Sequence, residues 1–202
     1  MSDPCERHWG AMKRLLRYIA GTRNLFLILR SPRWSERPYG LADSEVAGDM
    51  LTRESVGGYC LHWGAMSGAF AWQCKQQSVV TLSSPEAEYV QLCELAREAA
   101  FVRSLWHECN LLRLIGSIEP MELFEDNKSA KDVAERLGCT ARSKHVDVCW
   151  HPVRDQVEEG QGRISGIRTN LMTADILTKP VKPEKQFMLL RAKLLGHAAF
   201  ER

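Results

Sequence analysis

The 202-residue chain has no long apolar run. Nothing in it approaches the ~20 apolar residues of a membrane-spanning helix, and the opening MSDPCERHWGAMKR has no apolar core of signal-peptide length. A CxxC pair is also missing: the seven cysteines, at positions 5, 60, 74, 93, 109, 139 and 149, are scattered. An odd, scattered set without a leader reads as free thiols in a reducing compartment, so the expectation is an intracellular, cytoplasmic protein with no membrane partner. Charge of one sign is scarce as well, with 27 basic against 25 acidic residues and a net charge of +2. That balance neither demands nor excludes nucleic acid; a basic surface would have to come from local arrangement. No internal repeat or low-complexity tract appears. What remains is an ordinary globular composition, 45% apolar and 26% charged, in a length that suits one well-buried domain with an appendage or two small domains.

Along the chain, Trp9, Met12, Leu15, Leu16 and Ile19 recur at helical spacing over 6–20, with Lys13, Arg14 and Arg17 elsewhere on the surface. NLFLILRS reads as a strand after Gly21, and PRWSERP (32–38) as a linker. From Tyr39 three short strand-like runs, YGLADSEVAG, SVGGYCLHW and GAFAWQCKQQ, are separated by glycine-bearing or polar turns, which predicts an antiparallel meander. A long helix over 85–109 follows, then a strand at MELFED and a helix near 127–137. SKHVDVCWHPVRDQVEEG reads as helical, with a kink or break expected at Pro152. GRISGIRT reads as a fifth strand, TADILTK as a short helix and 183–195 as a last helix.

In TLSSPEAEYVQL (81–92) two glutamates stand one residue apart behind a proline. Pro85 at the first helical position makes Ser84 the cap and puts Glu86 in the first turn, where the helix dipole accounts for a carboxylate. Glu88 differs. Steps of four and three from it reach Leu92, Leu95, Ala99, Val102 and Trp106, the apolar stripe, whereas those from Glu86 reach Val90, Cys93, Arg97 and Ser104. Glu88 therefore points to the sheet at the rim of the core, where a carboxylate needs either a salt bridge or a metal ion.

Three other carboxylates sit awkwardly. Asp43 lies inside the first strand, alternating with Tyr39 and Leu41. Asp126 ends the fourth strand, where a cap or turn role is the simpler account, and Asp175 opens TADILTK, where the dipole would suffice. Taken together, the four are oxygen donors suited to Mg²⁺ or Mn²⁺ and not to zinc. Two such ions ~4 Å apart would clamp the attacking and leaving oxygens of phosphodiester hydrolysis.

The stretches YGLADSEVAGDMLTRESVGGYCLHWG, SGAFAWQCKQQSVVTLSSPEAEYVQLCELAREAAFVRSL, LFEDNKSA, RSKHVDV and TADILTKPV, in this order, resemble the ribonuclease H domain of copia-type retrotransposon polyproteins. The resemblance covers about 39–180. HWGAMKRLLRYIAGT is similar to the segment joining the reverse transcriptase to that domain. It implies three parts: 1–38 as the reverse transcriptase connection, 39–180 as a ribonuclease H-like α/β domain, and 181–202 as a C-terminal helix and tail. The implied fold is a mixed five-stranded sheet, its first three strands antiparallel, with helices packed on it.

The implied activity is cleavage of the RNA strand of an RNA–DNA hybrid. By motif position Asp43, Glu88, Asp126 and Asp175 would be the catalytic carboxylates and would hold two Mg²⁺ or Mn²⁺ ions. The products would be a 5′-phosphate and a 3′-hydroxyl, with RNA chosen through its 2′-hydroxyl. Lys75, Lys128, Arg142 and Lys144 lie near matched motifs and are candidate phosphate contacts, or else solvated surface. Ser44 and Asn127 adjoin catalytic positions as substrate-positioning candidates, although turn formation explains them equally. His145, inside RSKHVDV, would be structural or substrate-facing. The chain carries no polymerase palm, so a reverse transcriptase domain of the same polyprotein is the expected partner, and a retroelement particle the implied setting. Departures from the family pattern are Glu45, Val46, Glu125 and Pro152; Glu125 alternates to the strand face opposite Asp126.

Two rival readings stay open. One is an inactive ribonuclease H-like module with a binding or structural role; loss of a carboxylate would favour it, and all four are present. The other is a zinc site of Cys139, His145, Cys149 and His151, whose residue types suit zinc but whose spacing lacks a CxxC knuckle.

Overall fold

The computed structural model describes residues 4–30, 36–46, 54–79, 81, 83–111, 120–135 and 147–198. The elements are α1 (Glu6–Thr22), β1 (Pro38–Glu45), β2 (Val56–Trp63), β3 (Ala69–Gln76), α2 (Ser84–Glu108), β4 (Met121–Glu125), α3 (Lys128–Glu135), α4 (Asp147–Glu158), β5 (Gly162–Gly166), a 3-10 turn (Thr169–Leu171), α5 (Asp175–Thr178) and α6 (Glu184–Leu194). The five strands form one sheet in the order β3-β2-β1-β4-β5. β1, β2 and β3 pair antiparallel, whereas β4 and β5 run parallel to β1. This is the mixed five-stranded α/β sheet, its first three strands antiparallel, that the sequence resemblance implies.

Alternation along each strand sends side chains to two faces. On one face Ala42, Leu61 and Leu123 pack against Leu92, Leu95 and Ala99 of α2. Tyr39, Leu41 and Phe124 point the other way and meet Met172 and Ala174, next to α5. Burying each leucine contributes roughly 1.5–3 kcal/mol, so the α2 face carries most of the stabilisation. The apolar stripe read from Glu88 is the face that α2 buries, but burial extends further, to Val90, Cys93 and Ala96. The reason is a second layer: α4 lies against α2, with Val153 fully buried and the Gln156 side-chain amide donating to the Ala96 carbonyl at 2.5 Å.

Four sequence expectations need correction. The run NLFLILRS is no sheet strand; 25–30 is extended backbone pinned by hydrogen bonds that include Ile28 N–H to the Leu195 carbonyl and Gly68 N–H to the Ile28 carbonyl, both 2.9 Å. Its β-propensity is used in crossing from the β2–β3 turn to the end of α6. Helix α4 passes through Pro152 without a break. A proline deletes one helical hydrogen bond, and packing of the following turns on α2 outweighs that loss. The N-cap of α2 is Ser83, one residue earlier than expected, with Pro85 still in the first turn. Finally, GRISGIRT is strand only to Gly166.

Helix α1 stands apart. None of its residues is buried, and Trp9, Leu15, Leu16 and Ile19 are all more than half exposed. Its tie to the body of the protein is Tyr18, which meets the Phe187 ring edge-on and accepts a hydrogen bond from Arg191 at 3.2 Å. Among the described residues no helix is long and apolar enough to cross a membrane.

Candidate metal centre

The site begins in the register of two parallel strands. β1 and β4 pair Tyr39 with Glu122 and Leu41 with Phe124. Two residues further along each chain stand Asp43 and Asp126, on the same face and at the carboxyl ends of both strands, where open α/β sheets place their ligands. Glu88 arrives from the second turn of α2. One carboxylate oxygen from each of Asp43, Glu88 and Asp126 lies within 4.8 Å of the other two.

Two glycines let the flanking helices close on Asp43. Gly58 is paired with Asp43 across the β1–β2 ladder. A Cβ there would lie 2.8 Å from Leu177 Cβ and 2.9 Å from Thr178 Cγ2, so any side chain would push α5 off the sheet. At Gly57 a Cβ would meet the Gln91 side chain on α2. With α5 seated, the Thr178 hydroxyl donates to Asp43 Oδ2. Lys179 Nζ then lies 3.1 Å from Asp43 Oδ1 and 3.0 Å from Asp175 Oδ1. Asp43 itself is 1% exposed.

Crowding of acids shapes the electrostatics. Burial, then repulsion from Asp126 and Asp43, raises the Glu88 carboxyl to about 7, against a pull downward from its hydrogen bond with Asn127. Its Oε2 is buried without a hydrogen-bond partner. Asp175 is also raised to about 7, by burial and by Asp43, with Lys179 opposing. Burial pulls Lys179 down, but Asp43 and Asp175 more than reverse this and hold it charged. A fifth acid, Glu125, is buried on the α2 side; burial pushes its carboxyl well above the usual range, although Oε1 accepts the Asn127 N–H at 3.0 Å.

The remaining candidates are placed as follows. Asn127 caps α3, its Oδ1 accepting from Ser129 N–H (2.8 Å) and Ala130 N–H (3.3 Å), which leaves its amide NH₂ for Glu88. Ser44 is buried on the α2 side, on the face opposite Asp43, with its hydroxyl unpartnered. Lys75 is half-exposed and paired with Glu94 at 3.5 Å. Lys128 is exposed at the start of α3. Arg142, Lys144 and His145 lie outside the described residues, as do Cys139 and the side chains of Cys149 and His151 in the zinc alternative. Among the described residues, the group able to converge on a metal ion is Asp43, Glu88 and Asp126. Asp175 comes near it with Lys179 bridging to Asp43.

Sequence reasoning did not single out Lys179, Thr178 or the two glycines. Asp175 and Lys179 are four apart, the spacing of a helical ion pair, and that was the available signal.

No protein-family model matches the chain. It is similar to the retrovirus-related Pol polyprotein from transposon TNT 1-94 of Nicotiana tabacum, 33% identical over 196 residues, covering 97% of this chain and 14% of that protein. The Pol polyprotein from transposon RE1 of Arabidopsis thaliana is 33% identical over 181 residues, covering 90% of this chain and 12% of the relative. The chain thus spans about an eighth of the length of these relatives. In fold it is similar to the N-terminal RNase H domain of a Mycobacterium tuberculosis protein. The TM-score is 0.50 at 14% identity, covering 78% of this chain and 97% of that one.

Proposed function

We propose a nuclease function from one premise: the chain belongs to the retrovirus-related Pol polyproteins of copia-type retrotransposons. In this reading it hydrolyses the RNA strand of RNA–DNA hybrids with the help of divalent cations. The observation that carries the reading is the meeting of Asp43, Glu88 and Asp126 at the carboxyl ends of β1 and β4, their oxygens within 4.8 Å of one another. Like charges held this close, one of them with a buried oxygen that finds no donor, fit a cation better than they fit each other. Asp43, Glu88 and Asp126 would hold the first ion, and Asp175 would help hold a second.

When bound, Mg²⁺ or Mn²⁺ supplies acidity to an attacking water and charge balance to the leaving 3′ oxygen. The rest is work for the chain's own residues. Thr178 fixes one oxygen of Asp43 and leaves the carboxylate turned toward the cluster. Asn127 orients Glu88 while capping α3, so cap and ligand move together. Burial of Asp43 and Glu125 on the two faces keeps bulk water from the back of the site.

Lys128, Lys75, Arg142 and Lys144 are proposed phosphate contacts, and His145 is proposed to be structural or to face the substrate. Ser44, turned inward, would act through the strand and not on the substrate directly. The proposed partition remains 1–38 as connection, 39–180 as nuclease domain and 181–202 as tail. A reverse transcriptase domain of the same polyprotein is the proposed partner, and the reducing interior of the cell the proposed location.

The test is cleavage of a labelled RNA–DNA hybrid in Mg²⁺ or Mn²⁺ by the native chain and by Asp126→Asn, with duplex DNA alongside. Hybrid-specific cutting that disappears in the variant supports the reading. A folded native chain that cuts nothing with either ion overturns it, in favour of an inactive module.

A further inference from the structure

Lys179 holds a position that the proposed reaction gives to a cation. Its ammonium nitrogen lies 3.1 Å from Asp43 Oδ1 and 3.0 Å from Asp175 Oδ1, bridging carboxylates from β1 and α5. An ammonium donates hydrogen bonds and carries charge, but it cannot acidify a water or coordinate a leaving oxygen. We propose that Lys179 is a tethered counter-ion occupying the place of the second divalent cation, so that the site takes up its two ions unequally and the second only as Lys179 withdraws. The inference rests on the metal-dependent reading above.

Three observations support it. Lys179 directly follows the last residue of the short helix α5, in extended backbone, so the side chain can turn without unwinding a long element. It has room to leave: a cavity of about 770 Å³ opens beside Asp175, with Lys179, Pro180, Val181, Lys182 and Gln186 also in its wall. Among the described residues, Lys179 touches the other half only through Asp43; Asp43, Glu88 and Asp126 otherwise face one another and the Asn127 amide. The first ion therefore meets Lys179 at one ligand, Asp43, whereas the second competes with it for both Asp43 and Asp175.

The proposal is tested by Mn²⁺ titration of the full chain, read by calorimetry and by electron paramagnetic resonance, for the native protein, Lys179→Gln and Lys179→Arg. The first ion is expected to bind all three within a few-fold. The second is expected to bind Lys179→Gln at least about tenfold more tightly than native, with Lys179→Arg remaining weak because it keeps the charge. Equal second-ion affinity in native and Lys179→Gln overturns the proposal while leaving the metal reading intact. Absence of any bound ion in the folded native chain overturns both. The native chain gives an answer even where Lys179→Gln fails to fold. Acylation of Lys179, followed by mass spectrometry, should accelerate several-fold on saturation with Mn²⁺, relative to Lys75. An unchanged rate overturns the proposal.

Discussion

The two halves of the acidic site share Asp43 and are otherwise built in opposite ways. Toward β4 and α2, Asp43 meets Glu88 and Asp126, acids set against acids with an amide for company. Toward α5 it meets Thr178 and Lys179, a hydroxyl donor and a cation, with Asp175 beyond. One half is frustrated without an external cation; in the other, Lys179 offsets part of the repulsion between Asp43 and Asp175. Local frustration of this kind costs stability and persists where function requires it, so the frustrated half is the better candidate for the chemistry.

The largest effect should come from breaking that half. Asp126→Asn and Glu88→Gln are each expected to lower hybrid cleavage by at least about a thousandfold, the several kcal/mol of charge stabilisation such ligands organise. Asp175→Asn, on the Lys179 side, should lower it by roughly ten- to a hundredfold. Initial rates on a labelled hybrid decide the order, and equal losses would erase the distinction between the halves.

Next in size is Gly58→Val, which drives a side chain into Leu177 and Thr178 and should destabilise the fold by about 2–3 kcal/mol in a denaturant melt. Its sharper readout is selective: the first Mn²⁺ should still bind, because β1, α2 and β4 carry Asp43, Glu88 and Asp126, and the α5 segment contributes only the Thr178 and Lys179 contacts to Asp43. Loss of that ion along with α5 would show the halves to be one unit.

Proton linkage gives a third check. Glu88 and Asp175 titrate near 7 in the folded chain, above their ordinary 4.5 and 3.8. Between about 4 and 7 the folded state therefore binds more protons than the unfolded state, and stability falls as pH rises through that window. Without divalent ions the melting temperature should decline from about pH 5 to pH 8, and Mg²⁺ should restore it at pH 8. A flat profile would mean that the acids are not forced together.

The smallest effects should differ in sign. In ion-free protein at pH 8, Glu88→Gln should stabilise by about 1 kcal/mol, roughly 2–4 °C, by relieving repulsion. Thr178→Val should destabilise by about 1 kcal/mol, because it strips a buried carboxylate of one of its donors. Thermal melts of both settle the matter.

Most of the fold could be read from the sequence because its signals were periodic. The stripe from Glu88 to Val102 identified α2 and the glutamate that turns inward, and alternation in YGLADSE put Asp43 on the face of Tyr39 and Leu41. NLFLILRS misled because β-branched and aliphatic residues suit any extended backbone, and strand pairing depends on a neighbour the sequence does not name. Pro152 misled because its cost is local while the packing that offsets it comes from α2, distant in sequence. Within the site, residue types pointed to the acids; that Lys179 reaches across to Asp43 depends on Gly58 admitting α5, a tertiary event with no local signature. Helix α1 makes the same point from the other side: its amphipathic pattern declares a helix and says nothing about what covers its apolar face.

The pairing of β1 with β4 also bears on how the site could go wrong. Its sequence reads Glu125-Asp126, two acids in succession. Slide β4 by a single residue against β1, and every side chain changes face. Glu125 would then stand beside Asp43, one methylene longer, while Asp126 turned in toward α2. Such a misthreaded chain would keep its composition and its charge, and a carboxylate would still occupy each position by count. It would be an isomer of the native site in the strict sense: the same groups, differently connected through space. What guards against it is Met121 and Glu122: the slip would take Met121 out of the α2 face and bury Glu122 there, away from Ser165.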